Sequence, residues 1–368
     1  MSTQFTVGAF IVAYAAAFAI TPVTSKLARR LGILDHPQDD PGGHKRHSAA
    51  VPYLGGVAIF VGTVAGSIFM GFRPELPLPQ PVAQFALGLA IAVVLGLVGL
   101  ADDIRPLPRS GRFIVQVAAA LAAWQVGFRV QATPSDAVNV FITVLWIVGI
   151  TNAFNLLDNM DGLSAGLAGV GALSFAVMGA LGDLPELAVI AAALGGASLG
   201  FLGHNRHPAR VFMGDAGSLF LGFLLAIIGI ELRFENLVRV TFLIPVIVLG
   251  LPILDTTLVT LSRARHGRKL FLGHRDHVSH RLVQVGLPVK TTVRLLYWTG
   301  LCLGWLGLVI SRATPQVAYM LLGFVVALGV FFGWLLFRVP VYEEDRAALE
   351  ELEQTQEEDK VTYLESSK

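Results

Sequence analysis

The sequence is poor in charge and has almost no cysteine. Of its 368 residues only 14% are Asp, Glu, Lys or Arg against 54% apolar, and the mean hydropathy is +0.66. A soluble globule of this size needs more charge to cover its surface, so the composition points to the bilayer as solvent. The single Cys302 lies inside an apolar run, which excludes a disulfide framework and a cysteine-based metal site. No Lys or Arg precedes the first apolar run in "MSTQFTVG", so that run reads as a retained helix rather than a signal peptide. A Walker A segment, a GxGxxG fingerprint and an HExxH pair are also missing, which removes the commonest nucleotide-loop and zinc-protease readings.

What is present is a series of apolar runs. They lie at about 5–27, 52–71, 83–101, 113–128, 137–151, 163–181, 186–203, 217–231, 238–261, 293–311 and 316–338. The expected fold is all-α: a polytopic integral membrane protein with about eleven transmembrane helices over residues 1–340. An acidic tail over 341–368 reads as a solvated helix or a disordered end. Threading the helices from an outside start puts roughly 22 of the 27 Lys and Arg on one side, which is expected to be the cytoplasm. The opposite loops, "GFRPELPLPQP" and "SRATPQ", are short and nearly uncharged.

Five polar segments interrupt the runs, at 35–56, 101–112, 151–162, 203–218 and 262–282, and the threading brings all five to the cytoplasmic face. In "NAFNLLDNMDGL", Asn155, Asp158 and Asp161 recur every third residue and share a helical stripe, with Asn152 drifting to its side. Capping of helix ends is the plain alternative for any one of them. Asp102 and Asp103 close an apolar run, where carboxylates need a cation, hydrogen bonds or water, and Arg105, Arg109 and Arg112 follow closely. A solvated helix end explains that pair equally well. Asp215 sits between Gly214 and Gly217 in "FMGDAGS", where small residues admit a ligand and one Asp suits Mg²⁺ sharing substrate phosphates. Its alternative is a helix N-cap. In the last segment His274, His277 and His280 stand among Arg263, Arg265, Arg268, Lys269, Arg275 and Arg281. Phosphate binding ranks first there, lipid-headgroup contact second and zinc a distant third. Acids for a divalent cation beside cations for phosphate suggest phosphoryl-type transfer.

The motifs "KRH…P.LGG", "DD" followed by "RFIVQ", "NAFNLLDNMDGL", "HNRHPARVFMGDAGS" and a terminal His motif occur in one order between about residues 30 and 285. In this the chain resembles the polyprenyl-phosphate N-acetylhexosamine-1-phosphate transferases, the glycosyltransferase 4 family. The resemblance implies a cytoplasmic-face site in a bacterial inner membrane where a lipid phosphate attacks a UDP-amino sugar and UMP leaves. It implies Mg²⁺, with Mn²⁺ as a substitute, and undecaprenyl phosphate and UDP-N-acetylglucosamine as substrates among membrane lipids. A homodimer is an option, and no nucleic-acid partner is expected. By motif, Asp215 looks like the main metal ligand with Asp158 beside it. Asp102, Asp103 and Lys45 look catalytic, and Asn155, Asp158, Asp161, Asn205, Arg112, His277 and His280 match substrate positions.

The last motif, "HRDHVSHRL", departs from the family pattern because Ser279 stands where a histidine is usual. Its spaced histidines lean towards UDP-N-acetylglucosamine, with the muramoyl-pentapeptide substrate of peptidoglycan synthesis as the alternative. A lipid phosphate is already mostly dianionic at pH 7, so Asp102 and Asp103 are expected to act by positioning more than by taking a proton. A membrane transporter is the reading from another class, but such proteins keep their acids near mid-membrane, often in two related halves.

Overall fold

The computed structural model describes residues 2–36, 50–71, 80–232, 242–269 and 275–342. Each apolar run of the sequence becomes helix, because a backbone in hydrocarbon must satisfy its own N–H and C=O groups. In chain order these are α1 (Ser2–Leu31), α2 (Gly55–Ser67), α3 (Gln80–Ile104), α4 (Arg109–Val126), α5 (Asp136–Leu157), α6 (Leu163–Leu181), α7 (Pro185–Asn205) and α8 (Gly214–Glu231). There follow α9 (Leu243–Val248), α10 (Gly250–Arg265), α11 (Val278–Gln284), α12 (Val289–Arg312) and α13 (Pro315–Phe337). Two short strands, β1 (Leu34–Asp35) and β2 (Val51–Pro52), pair antiparallel with Leu34 opposite Pro52.

Eight helices, α1, α3, α5, α6, α7, α8, α12 and α13, are each long and apolar enough to cross a bilayer alone. The chain is an all-α polytopic membrane protein. Three runs depart from a plain span. α2 has 13 residues, about 20 Å of helix against a hydrocarbon core of about 30 Å. α4 opens on Arg109 and Arg112 and carries the buried Gln116. The run expected over 238–261 is broken at Leu249 into α9 and α10, where Gly250 and Pro252 follow and Pro252 has no N–H to continue the helix.

α8 is the hub. It is apolar all round and packs against α2, α3, α5 and α6, with Trp146 Nε1 of α5 donating to its Ala226 carbonyl at 3.0 Å. α13 lies at the rim and exposes Phe324, Val326 and Val330, as a lipid-facing helix should. One end of the bundle gathers the polar segments. Phe212 N donates to Pro52 O at 2.9 Å, and Gly55 N and Gly56 N donate to Phe212 O and Met213 O at 3.0 and 3.1 Å. The loop before α2 is thereby fixed to the loop before α8.

Candidate active site

Asp215 stands one residue inside α8, and the start of that helix is held from α3. Asp103 accepts the backbone N–H of Asp215 through Oδ1 at 2.8 Å and that of Ala216 through Oδ2 at 3.1 Å. It therefore caps α8 from a neighbouring helix, and its charge suits the positive end of the α8 dipole. The approach requires Gly214, whose φ is +68° and where a Cβ would lie 2.3 Å from Asp103 Oδ2. Gly99 on α3 is needed in the same way, since a Cβ there would meet the Asp215 carbonyl oxygen at 2.5 Å.

The Asp215 carboxylate is shared among three elements. Its Oδ1 accepts Asn155 Nδ2 at 2.7 Å, and its Oδ2 accepts Arg112 Nη1, which also reaches Asp102 Oδ2 at 2.5 Å. Asp102 Oδ1 takes the Leu107 N–H at 2.5 Å and so closes the turn between α3 and α4. Asp158 follows α5 directly. Its carboxyl is pushed up to about 8, by burial first and then by the charges of Asp215, Asp103 and Asp161. Burial and the neighbouring carboxylates thus both favour the protonated form of Asp158. Asn152 is turned away and donates to Gln116 Oε1 at 2.5 Å and Val148 O at 2.8 Å, bracing α4 on α5.

Beside this group the turn at 158–162 is tied to the loop after α7. Asp161 Oδ2 lies 2.7 Å from His207 Nδ1 and accepts the Ala209 N–H at 3.1 Å. Asn205, buried, accepts from Gly162 N at 3.0 Å and donates to Val211 O at 2.9 Å, so both ends of its amide serve the backbone. On the other side, Ser279 Oγ donates to Asn159 Oδ1 at 2.7 Å, which joins the His motif to the same turn.

The His motif is anchored from below. His277 Nδ1 lies 2.8 Å from Asp255 Oδ2, and Val278 N donates to Asp255 Oδ1 at 2.6 Å. The rings of His277 and His280 are 6.0 Å apart. Asp276, buried, takes both Nε and Nη2 of Arg263 at 2.8 Å and the Tyr342 hydroxyl at 2.8 Å. Burial opposes its charge, yet the bonds from Arg263 and Tyr342 hold its carboxyl below the usual carboxylate range.

With the geometry in place, comparison with known proteins adds the lineage. The family model described as glycosyl transferase family 4 matches residues 85–233, which run from within α3 to the end of α8 and include Asp102, Asp103, Asp158, Asp161 and Asp215. A probable undecaprenyl-phosphate N-acetylglucosaminyl 1-phosphate transferase of Bacillus subtilis is 33% identical over 315 residues, covering 83% of this chain and 85% of that protein. The chain belongs to glycosyl transferase family 4. A decaprenyl-phosphate N-acetylglucosaminephosphotransferase of Mycobacterium tuberculosis is 32% identical over 355 residues, 85% of this chain and 84% of that one. A phospho-N-acetylmuramoyl-pentapeptide-transferase of Heliobacterium modesticaldum is 31% identical over 321 residues, 80% of this chain and 94% of that one.

The structure of this family 4 protein sorts the residues the sequence singled out. Asp102, Asp103, Arg112, Asn155, Asp158 and Asp215 come together, Asp161 and Asn205 tie the adjoining turn, and the His277 and His280 motif is joined to that turn through Ser279. Lys45 and His274 lie outside the described residues. Arg263 and Arg281, expected among the phosphate-binding cations, are instead 1% and 0% exposed. Arg281 donates to Asp276 O at 2.9 Å, Leu336 O at 2.9 Å, Val339 O at 3.0 Å and Ser262 Oγ at 2.9 Å. Both are structural because each guanidinium is consumed by buried acceptors.

Two residues were missed. Tyr53 hydrogen-bonds Asp35, and its phenol is pushed up by burial and then by the charges of Asp35, Asp103 and Asp158. Asp255 had a readable signal, being a lone acid in the apolar "LPILDTTLVTL", a position that demands a partner.

Proposed function

We propose that the chain transfers N-acetylhexosamine-1-phosphate, with N-acetylglucosamine-1-phosphate as the first choice, from a UDP-sugar to a polyprenyl phosphate such as undecaprenyl phosphate. The observation that carries the reading is the gathering of Asp102, Asp103, Asp158 and Asp215 around Arg112 at adjoining helix ends. The names of two of the relatives support the donor and acceptor classes. An oxygen of the lipid phosphate attacks the β-phosphorus of the UDP-sugar, the bond from that phosphorus to the bridging oxygen breaks, and UMP leaves with its electron pair.

The phosphate dianion is its own nucleophile at pH 7. Asp103 has both oxygens on α8 N–H groups, which supports a positioning role: it sets where Asp215 stands. Asn155 orients the Asp215 carboxylate, and Arg112 links it to Asp102 and offers charge to a phosphate. Among the described residues no three His, Cys, Asp or Glu side chains form a closed metal cluster. The burial of Asp158 beside the charges of Asp215, Asp103 and Asp161 supports Mg²⁺, or Mn²⁺ in its place, which Asp215 and Asp158 would hold together with substrate phosphates. When bound, the ion neutralises diphosphate charge. The excess of Lys and Arg on one side supports an inner-membrane protein with this site facing the cytoplasm.

The test is purified protein in detergent with undecaprenyl phosphate, Mg²⁺ and either UDP-N-acetylglucosamine or UDP-N-acetylmuramoyl-pentapeptide. UMP release and lipid-linked sugar are measured, with Asp215→Ala as control. Product from UDP-N-acetylglucosamine alone, absent in the control, is the expected result. Product from the muramoyl substrate alone changes the donor, and none from either overturns the reaction.

A further inference from the structure

Between the end of α7 and the start of α12 lies a cavity of about 420 Å³ that shares only Asp161 with the residues assigned to the reaction. Exposed Arg206, Lys290 and Arg294 line it together with Leu199, Leu202 and Val293. Lys290 and Arg294 stand one turn apart at the start of α12, and Arg206 directly follows α7. Leu202 and Leu199 lie one and two turns further into α7 than Arg206, and on α12 Val293 stands between Lys290 and Arg294, so the cavity has a cationic mouth and an apolar wall that runs inward along α7. Among the described residues none of the three cations has a carboxylate partner. Asp161, the one acid in the lining, spends Oδ2 on His207 and Ala209.

Three cations within one open cavity select a phosphate. The apolar wall selects an occupant whose phosphate carries hydrocarbon, and α12 continues from the cavity as a lipid-facing helix with Trp298 67% and Trp305 68% exposed. A soluble nucleotide gains nothing from that wall, whereas a basic pocket between membrane helices suits an anionic headgroup. The cavity also touches the reaction centre through backbone. Tyr297, in its lining, donates its hydroxyl to Gly162 O at 2.6 Å, and Gly162 N is held by Asn205.

We infer that this cavity binds the phosphodiester headgroup of an anionic membrane phospholipid, separate from donor and acceptor, and that occupancy steadies the turn at 158–162. The site stands whether or not the proposed reaction is correct, because its first readout is lipid retention. The full chain in detergent is titrated with phosphatidylglycerol or phosphatidylcholine and followed by native mass spectrometry. The wild type is expected to prefer phosphatidylglycerol by about tenfold or more. R206Q/K290Q/R294Q loses that preference, whereas R206K/K290R/R294K and the distant R29Q/R30Q keep it. Hydrogen exchange at residues 158–163 slows when phosphatidylglycerol binds the wild type. Tyr297→Phe keeps the lipid but loses the slowing. Wild-type binding by the Gln variant overturns the assignment. So does displacement of phosphatidylglycerol by UDP-sugar, undecaprenyl phosphate or inorganic phosphate at comparable concentration. These competitions use the wild-type protein and decide the matter even if the Gln variant does not fold.

Discussion

At the scale of single residues the active-site carboxylates divide by what their oxygens already hold. Asp103 is committed to two N–H groups and Asp102 to Arg112 and Leu107, while Asp158 is buried and then crowded by charge of its own sign. The pH dependence of Asp158 follows. Its folded pKa of about 8 lies above the unfolded value of about 3.9, so the folded chain holds a proton that the unfolded chain releases. That contribution is complete below pH ~4 and is lost as pH rises towards ~8. Asp158→Asn cannot ionise. Its advantage in melting temperature over the ligand-free wild type is expected to widen between pH 5 and pH 8 and then level off, as read by thermal scans in detergent. A gap that stays constant over this range removes the shift. Ser279 belongs at this scale too. Its bond to Asn159 makes it a strap between the His motif and the 158–162 turn, and Ser279→Ala is expected to cost about 1 kcal/mol with a modest fall in rate.

At the scale of elements, glycines decide how close the helices stand. A Cβ at Gly214 would strike Asp103, and the positive φ adds strain. Gly214→Ala is therefore expected to shift the start of α8 and lower UMP release by two orders of magnitude or more, a loss of about 2.7 kcal/mol of transition-state stabilisation. Gly111 lies in α4 with nothing within 4 Å of its would-be Cβ. Gly111→Ala is expected to leave activity intact and raise stability by up to about 1 kcal/mol. Equal effects of the two substitutions would contradict this account. The Gly-rich runs, the Asp-Asp pair and the Asn/Asp spacing were legible as a sequence. That Asp103 caps α8 was not, because the cap and the helix are 112 residues apart and no local pattern joins them.

At the scale of the whole molecule, the segment that follows α13 braces the His motif. Arg281 binds the carbonyls of Leu336 and Val339, Tyr342 binds Asp276, and the Arg268 guanidinium lies 4.2 Å from the Tyr342 ring centroid. Truncation after Phe337 removes the Val339 carbonyl from Arg281 and the Tyr342 hydroxyl from Asp276, two hydrogen bonds to buried charged groups, at a cost of about 3 kcal/mol. The truncated chain is expected to keep the α1–α8 core, seen as retained helical signal, while hydrogen exchange at 276–284 rises and activity falls. Unchanged exchange there would show that the bonds from Val339 and Tyr342 are dispensable.

The sequence by itself determined the bilayer as solvent, the all-α fold, the gathering of polar segments at one end and the family. Each is carried by composition, by apolar runs or by motif order, which are local properties of the chain. Tertiary structure alone decided which carboxylate caps, which pairs with Arg112 and which is crowded. It also showed that Arg263 and Arg281 are buried struts rather than phosphate ligands, and it set three cations, one just after α7 and two at the start of α12, around one cavity. The reason is physical. A charged side chain's role depends on the partners and water left around it after packing, and in this bundle those partners come from segments far apart in sequence.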